Sequence, residues 1–310
     1  MTKKLQPVKR VGFIGIGAIG EPMAVRILQA GFELHVWNRT PAKAASLIAA
    51  GALSADSPSE LAARTDVLCL CVTDDQAAET VVFGPGGAAR AAHQGLVVVD
   101  LSTIHPLATQ RLSNQASQLG FGWVDSPVSG GIAGARNGTL TAFTGGREED
   151  VERVRPVIRS FTARMTHMGP AGSGQIAKIC NQMVSFSTAT ALAEALHLAK
   201  RLNLEVSRLP KAMEGGLADS AVLRQLAPGM LEGRFSGNTL TILKDLEIAI
   251  DLGRHSVTPT PLAASVNAIV RMLVARGNTN IGLGGVLRFF TEQPLASSDV
   301  NTIDSHKNAV

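Results

Sequence analysis

The sequence predicts an α/β protein in two parts: a mostly parallel sheet with covering helices over residues 1–170, then an all-helical region over residues 171–295 entered through one long helix. Three observations carry this. Short apolar runs alternate with helix-compatible stretches through the first 170 positions, the pattern of βαβ units. A Gly/Pro-rich break, Gly169-Pro170-Ala171-Gly172-Ser173-Gly174, follows, and beyond it the pattern is nearly all helical.

In chain order the strand-like runs are Val11–Ile16, Leu34–Trp37, Val67–Val72, Leu96–Leu101, Trp123–Asp125 and Leu140–Phe143. Between them lie helical stretches such as Ile19–Ala30, Pro41–Ala50 and Pro106–Leu119. After the break, Gln175–Leu202 has no internal Gly or Pro and predicts one helix of roughly 42 Å at about 1.5 Å per residue. Thr239–Gly253 is an amphipathic helix with apolar residues at 240, 243, 246 and 250. From Pro294 the chain turns polar, and residues 296–310 read as a tail.

At 310 residues the chain has room for two domains with buried cores. Its 29 basic and 25 acidic side chains give net +4, but the basic residues are scattered, which argues against a nucleic-acid partner. There is no tyrosine, which excludes chemistry that needs a phenol, including the Tyr-x-x-x-Lys pair of short-chain dehydrogenases. The three cysteines, Cys69, Cys71 and Cys180, are too few and odd in number for a disulfide framework, so a reducing cytoplasm is the expected location. Cys69 and Cys71 share one face of a strand. Without nearby Cys or His partners, core packing accounts for them better than a metal pair, and no metal is expected. The basic N-terminus is followed by only a short, glycine-rich apolar run, and no stretch approaches twenty apolar residues, so neither a signal peptide nor a membrane span is expected.

Four groups of residues carry chemistry. Gly15-Ile-Gly17-Ala18-Ile19-Gly20 follows a strand and opens a helix. The first glycine permits the tight turn, the second lets the backbone approach a pyrophosphate, and the third allows close helix–strand packing, while the helix N-terminus offers N–H groups to the phosphates. The other reading is a purely structural glycine turn. At the end of the second strand a site for NAD wants an acid, yet no Asp or Glu occurs between Leu34 and Asp56. Asn38-Arg39-Thr40 stands there instead, suiting the 2′-phosphate of NADP; were Arg39 only to stack on adenine, NAD would serve equally.

The third group is Asp125 to Thr141, where Ser129-Gly130-Gly131 frees backbone N–H groups for a small carboxylate; a flexible glycine turn is the alternative. The fourth opens the long helix: Lys178, with Asn181 and Gln182 on its face. Apolar sequence neighbours at 176, 177, 179 and 180 point to a partly desolvated lysine able to exchange protons near neutral pH, against the reading of a surface lysine snorkelling from the helix. Two smaller candidates are Lys244-Asp245, equally readable as a solvated face, and Asp100-Leu-Ser102-Thr103, at a strand's C-terminal end where ligands of open α/β sheets bind.

In their order and spacing over roughly residues 10–275, these segments resemble the β-hydroxyacid dehydrogenase family, which includes 3-hydroxyisobutyrate dehydrogenase and 2-hydroxy-3-oxopropionate (tartronate semialdehyde) reductase. The resemblance implies a Rossmann-like NAD(P)-binding domain, a helical substrate and oligomerisation domain joined by the long helix, and a small carboxylate substrate bound between them. It implies Lys178 as the catalytic residue, Ser129, Gly130 and Gly131 at the substrate carboxylate, and Asn181 with Gln182 at the substrate. Gly15, Gly17, Ala18, Ile19, Gly20, Asn38, Arg39, Thr40, Val72, Thr73, Thr103 and Lys244 would lie by the cofactor.

Lys-x-x-Asn-Gln at 178–182 is more similar to the tartronate semialdehyde reductases than to the 3-hydroxyisobutyrate dehydrogenases, and Asn38-Arg39-Thr40 is similar to the family's NADP-using members. After Gly277 the chain departs from the family's acidic Asp-x-Ser segment, reading Asn278 to Phe290 instead. The expected activity interconverts a 3-hydroxy acid and its semialdehyde, in a homo-oligomer. Two remoter readings are an imine reductase, against which Lys178 argues, and a non-catalytic dinucleotide sensor.

Overall fold

The strands of the computed structural model, which describes residues 7–291, are β1 (Arg10–Ile14), β2 (Glu33–Trp37), β3 (Leu53–Ser54), β4 (Val67–Leu70), β5 (Val97–Asp100), β6 (Gly122–Asp125), β7 (Val128–Ser129), β8 (Leu140–Gly145) and β9 (Thr162–Gly169). The polar tail expected over 296–310 lies outside the described residues. The strands form one sheet in the order β3-β2-β1-β4-β5-β6-β8-β7, with β9 beside β8. Strands β1 to β6 run parallel to one another, and β8 runs antiparallel to its neighbours β6 and β7. The order 3-2-1-4-5-6 is that of a doubly wound dinucleotide fold, whose ligand crevice opens at the C-terminal ends of the strands where the order reverses, between β1 and β4.

Helices α1 (Gly20–Gln29), α2 (Ala45–Ala49), α3 (Pro58–Arg64), α4 (Asp75–Phe83), α5 (Pro106–Gln118), α6 (Gly131–Asn137) and α7 (Glu148–Arg159) connect the strands. Alternation along each strand splits the core between the two faces of the sheet. Val11, Phe13, Val67, Cys69, Val97 and Val99 pack in one buried cluster, while Ile14, Leu68, Leu70 and Val98 pack in the other.

Several apolar runs overshoot their strands: Ile16, Val72 and Leu101 lie past the strand ends, in the loops that border the crevice. The single helix expected over 41–50 is a 3₁₀ turn, Pro41–Ala44, running into α2. The sequence reading missed β9. Its residues alternate polar and mostly solvent-facing, as suits a strand bonded to β8 on one side.

Helix α8 (Ser173–Arg201) starts two residues before the expected helix. The chain divides into two compact units between Asn181 and Gln182, within this helix. The second unit holds the rest of α8 with α9 (Leu209–Met213), α10 (Ala221–Glu232), α11 (Thr239–His255), α12 (Pro261–Ala275) and α13 (Leu287–Thr291). Leu192, Leu196, Leu223, Met230 and Leu273 form its core, joined by Ile281 and Val286 from the divergent segment after Gly277. That segment folds back on α11: the Thr239 N–H donates to the Thr279 carbonyl and the Ile281 N–H to Thr239 Oγ1, while Arg288 donates to Asn278 Oδ1 at 2.9 Å.

Candidate active site

The loop from β1 into α1 is built by glycine stereochemistry. Gly15 holds φ at +96°, and a Cβ there would lie 2.0 Å from the Cys71 carbonyl oxygen; a Cβ on Gly20 would lie 2.1 Å from the Gly15 carbonyl oxygen. At Gly17 a Cβ would meet nothing within 4 Å, although Gly17 borders a groove. The first and third glycines are thus required by the protein's own backbone, whereas the second leaves room for something the protein does not supply. The N-terminal end of α1, with its favourable dipole for an anion, begins beside it. This cradle fits a dinucleotide pyrophosphate.

Of the residues expected at a cofactor, Gly15, Gly17, Asn38, Arg39, Thr40, Val72 and Thr73 all border this one groove. Ala18, Ile19 and Thr103 do not: Ala18 and Ile19 carry the chain into α1, Thr103 lies in the loop after β5, and Gly20 is buried beneath the glycine loop. Asn38 serves the backbone, accepting from the Ile16 N–H at 2.9 Å and donating to the Thr40 carbonyl at 2.9 Å, which ties the glycine loop to the end of β2. Lys43, which the sequence reading missed, borders the groove four residues after Arg39. Its signal was Pro41, which starts the helical turn that brings positions 39 and 43 together. Trp37, Ala77 and Val81, also missed, add an apolar wall.

Beside the groove, buried polar side chains fasten the strand ends. Ser102 Oγ accepts from the Val72 N–H at 2.9 Å, and the Ser102 N–H donates to Asp100 Oδ1 at 2.9 Å, joining the loops after β4 and β5. Asp125, at the end of β6, faces α8 and not the Ser129 loop: Oδ1 accepts from the Gly172 N–H at 2.8 Å and Oδ2 from the Gln175 N–H at 2.9 Å. Burial pushes its carboxyl above the ordinary carboxylate range, against the downward pull of those N–H groups. A Cβ on Gly174 would sit 2.4 Å from the Phe143 carbonyl oxygen and 2.7 Å from Asp125 Oδ2, so that glycine is needed for the helix end to approach the sheet.

Ser129 ends β7, and Gly130 and Gly131 follow it at φ +128° and +65°, conformations that favour glycine. Asn181 Nδ2 reaches Ser129 Oγ at 3.4 Å, which brings the expected carboxylate loop and the long helix together. Lys178, one turn earlier on α8, is only 5% exposed. The surface-snorkelling reading is therefore overturned. The reason differs from the one the sequence suggested: Ile176 and Cys180 are exposed, and burial comes from the helix face shared by Gln175, Lys178 and Ile179.

Gln182 and Lys244 belong to the second unit. There Gln182 Nε2 donates to Asp245 Oδ2 at 2.8 Å, and Lys244 Nζ lies 3.6 Å from Asp245 Oδ1, with Asp245 1% exposed. Cys69, Cys71 and Cys180 form no disulfide with one another, and burial pushes the Cys69 thiol up. Among the described residues, no group of three or more His, Cys, Asp or Glu side chains is placed to hold a metal ion, and no helix is long and apolar enough to cross a membrane.

Comparison with known proteins adds to this geometry. A family profile described as the NAD binding domain of 6-phosphogluconate dehydrogenase matches residues 10–169, and one described as 'NAD-binding of NADP-dependent 3-hydroxyisobutyrate dehydrogenase' matches residues 172–289. The chain is 33% identical to the 2-hydroxy-3-oxopropionate reductase of Escherichia coli, over 88% of this chain and 94% of that protein. It is 30% identical to the mitochondrial 3-hydroxyisobutyrate dehydrogenase of Bos taurus, over 91% and 87%. Among solved structures, Psf3 in complex with NADP+ and 2-OPP superposes with a TM-score of 0.81 at 27% identity, covering 91% of this chain and 99% of that one.

Proposed function

The chain belongs to the β-hydroxyacid dehydrogenase family of NAD(P)-dependent oxidoreductases acting on the hydroxyl of hydroxy acids, and from that premise we propose that it is an NADP-dependent 2-hydroxy-3-oxopropionate (tartronate semialdehyde) reductase. The observation that carries the reading is the buried Lys178 one helical turn from Asn181, whose amide is bonded to Ser129 at the glycine loop. A proton donor, a polar positioning group and backbone donors for a carboxylate thus belong to one cluster, as a short semialdehyde acid requires. The Lys-x-x-Asn-Gln run and the 33% identical reductase favour this substrate among related ones.

A nicotinamide cofactor, when bound, would supply the hydride that reduces the carbonyl carbon. Lys178 donates a hydrogen bond to the carbonyl oxygen, polarising it, and gives up a proton as the alcohol forms; in the reverse direction its neutral amine accepts the alcohol proton. Ser129 and the Gly130 and Gly131 N–H groups hold the substrate carboxylate, and Asn181 orients the carbon skeleton. Gly17 admits the pyrophosphate, while Val72, Thr73 and Thr103 border the cofactor on the strand-end side. Arg39, Thr40 and Lys43 at the groove, with no acid at the end of β2, support a 2′-phosphate and so NADP over NAD. Cysteines without disulfides fit a reducing cytoplasm, and exposed Val184 and Leu198 on α8, with Leu202 just past its end, fit a homo-oligomer.

The test is a set of initial rates of NADPH and NADH oxidation with tartronate semialdehyde, methylmalonate semialdehyde, succinic semialdehyde and glyoxylate. The reading expects the highest kcat/KM for tartronate semialdehyde with NADPH. A higher value for methylmalonate semialdehyde would assign the chain to the 3-hydroxyisobutyrate dehydrogenases instead, the second reading that the Bos taurus relative supports.

A further inference from the structure

The loop leaving β5 carries Thr103 between two peptide groups that a single side chain grips. Gln175, 0% exposed in the first turn of α8, donates from Nε2 to the Ser102 carbonyl at 2.9 Å and accepts at Oε1 from the Ile104 N–H at 3.2 Å. Those groups flank Thr103, so the amide holds its backbone as a neighbouring strand would. The backbone N–H of Gln175 donates to Asp125 Oδ2, which pins the same helical turn to β6. Lys178 lies three residues further along the same buried face.

We propose that Gln175 is a positioning residue, which sets the distance between the Thr103 loop and the helical turn that presents Lys178. Resting on the function proposed above, this adds a residue outside the reacting groups. Hydride acceptance and protonation must meet on one carbonyl, so the nicotinamide that the proposed function sets beside Thr103 and the ammonium carried by α8 need a fixed separation. A misplacement of about 1 Å costs on the order of 100-fold in rate. Only a side chain of glutamine's length and dual chemistry holds both peptide groups. Leucine fills a similar volume but leaves a buried carbonyl and N–H without these bonds.

Three measurements test it. In Q175L, kcat with NADPH and tartronate semialdehyde, well below the variant's Tm, should fall at least about 10-fold while the NADPH Kd stays within about threefold. In Q175E the acceptor for Ile104 remains, but an ionised carboxylate opposes the Ser102 carbonyl. Protonation restores the donor, so kcat relative to wild type should rise as pH falls, a limb absent from Q175L. In the protein without substrate, hydrogen exchange at the Ile104 amide should speed at least about 10-fold in Q175L. Unchanged Ile104 exchange, or unchanged kcat in both variants, overturns the proposal; should Q175L fail to fold, the pH profile of Q175E decides. If wild type turns over none of the semialdehydes, the functional reading fails, and Ile104 exchange still decides whether Gln175 fastens the loop.

Discussion

Arg39→Ala is expected to separate the two nicotinamide cofactors. Arg39 is exposed at the groove, with Lys43 four residues on and no carboxylate at the end of β2 to favour a ribose hydroxyl. A charge-assisted hydrogen bond to a phosphate is worth about 1.5–3 kcal/mol. Exposure to solvent places Arg39 at the low end, near 1.5 kcal/mol, or about 10-fold in Kd. NADH has no 2′-phosphate, so its Kd should move by less than about twofold. Arg39→Ala with Lys43→Ala should add less than another ~10-fold for NADPH, because the two cations share one anion and their effects are not additive. The assay is a fluorescence titration of each reduced cofactor at low and high salt, where screening should shrink the NADPH effect and leave NADH alone. Equal weakening of both cofactors would refute phosphate recognition and make Arg39 an adenine-stacking residue.

The remaining expectations concern the reaction and the frame beneath it. Lys178→Ala should lower kcat by about 10²–10⁴ with NADPH affinity nearly unchanged, and Lys178→Arg should recover little, because guanidinium holds its proton; steady-state rates that match wild type would remove the lysine from the chemistry. Asp125→Asn keeps one acceptor for two N–H groups, so it should cost about 2 kcal/mol and lower Tm by roughly 4–8 °C in a thermal melt. Burial pushes the Asp66 carboxyl up, but bonds from the Arg10 guanidinium and the N–H groups of Arg10 and Lys9 pull it further down, leaving it below its ordinary 3.8. That stability is present above pH ~3.8 and lost as pH falls through the depressed value. Asp66→Asn should therefore cost about 1 kcal/mol near pH 6 in urea unfolding, a gap that closes toward pH 3; a gap constant with pH would deny the ion pair its role.

Local features made the first unit legible. The glycine loop, the apolar runs Val11–Ile16, Val67–Val72 and Leu96–Leu101, and the missing acid after β2 are written in contiguous residues, and each element can be read from its own period and its own turn, though each run overshoots its strand. What escaped was set by elements distant in sequence. Nothing around Asp125 says that its carboxylate turns from the Ser129 loop to Gly172 and Gln175, because that choice is made 47 and 50 residues away. Lys43 escaped for a milder version of the same reason, since its position depends on how the Pro41 turn is wound.

The glycines of 172–174 show how far this separation matters. Read along the chain, they mark a break before a helix. In three dimensions Gly174 is small because the Phe143 carbonyl and Asp125 stand where its Cβ would be, and the close approach lets Gln175 reach the loop of Thr103. A substitution such as Gly174→Ala must then move the turn that begins α8. By the same geometry it moves Lys178, so a residue with no reacting atom governs where the proposed proton donor sits.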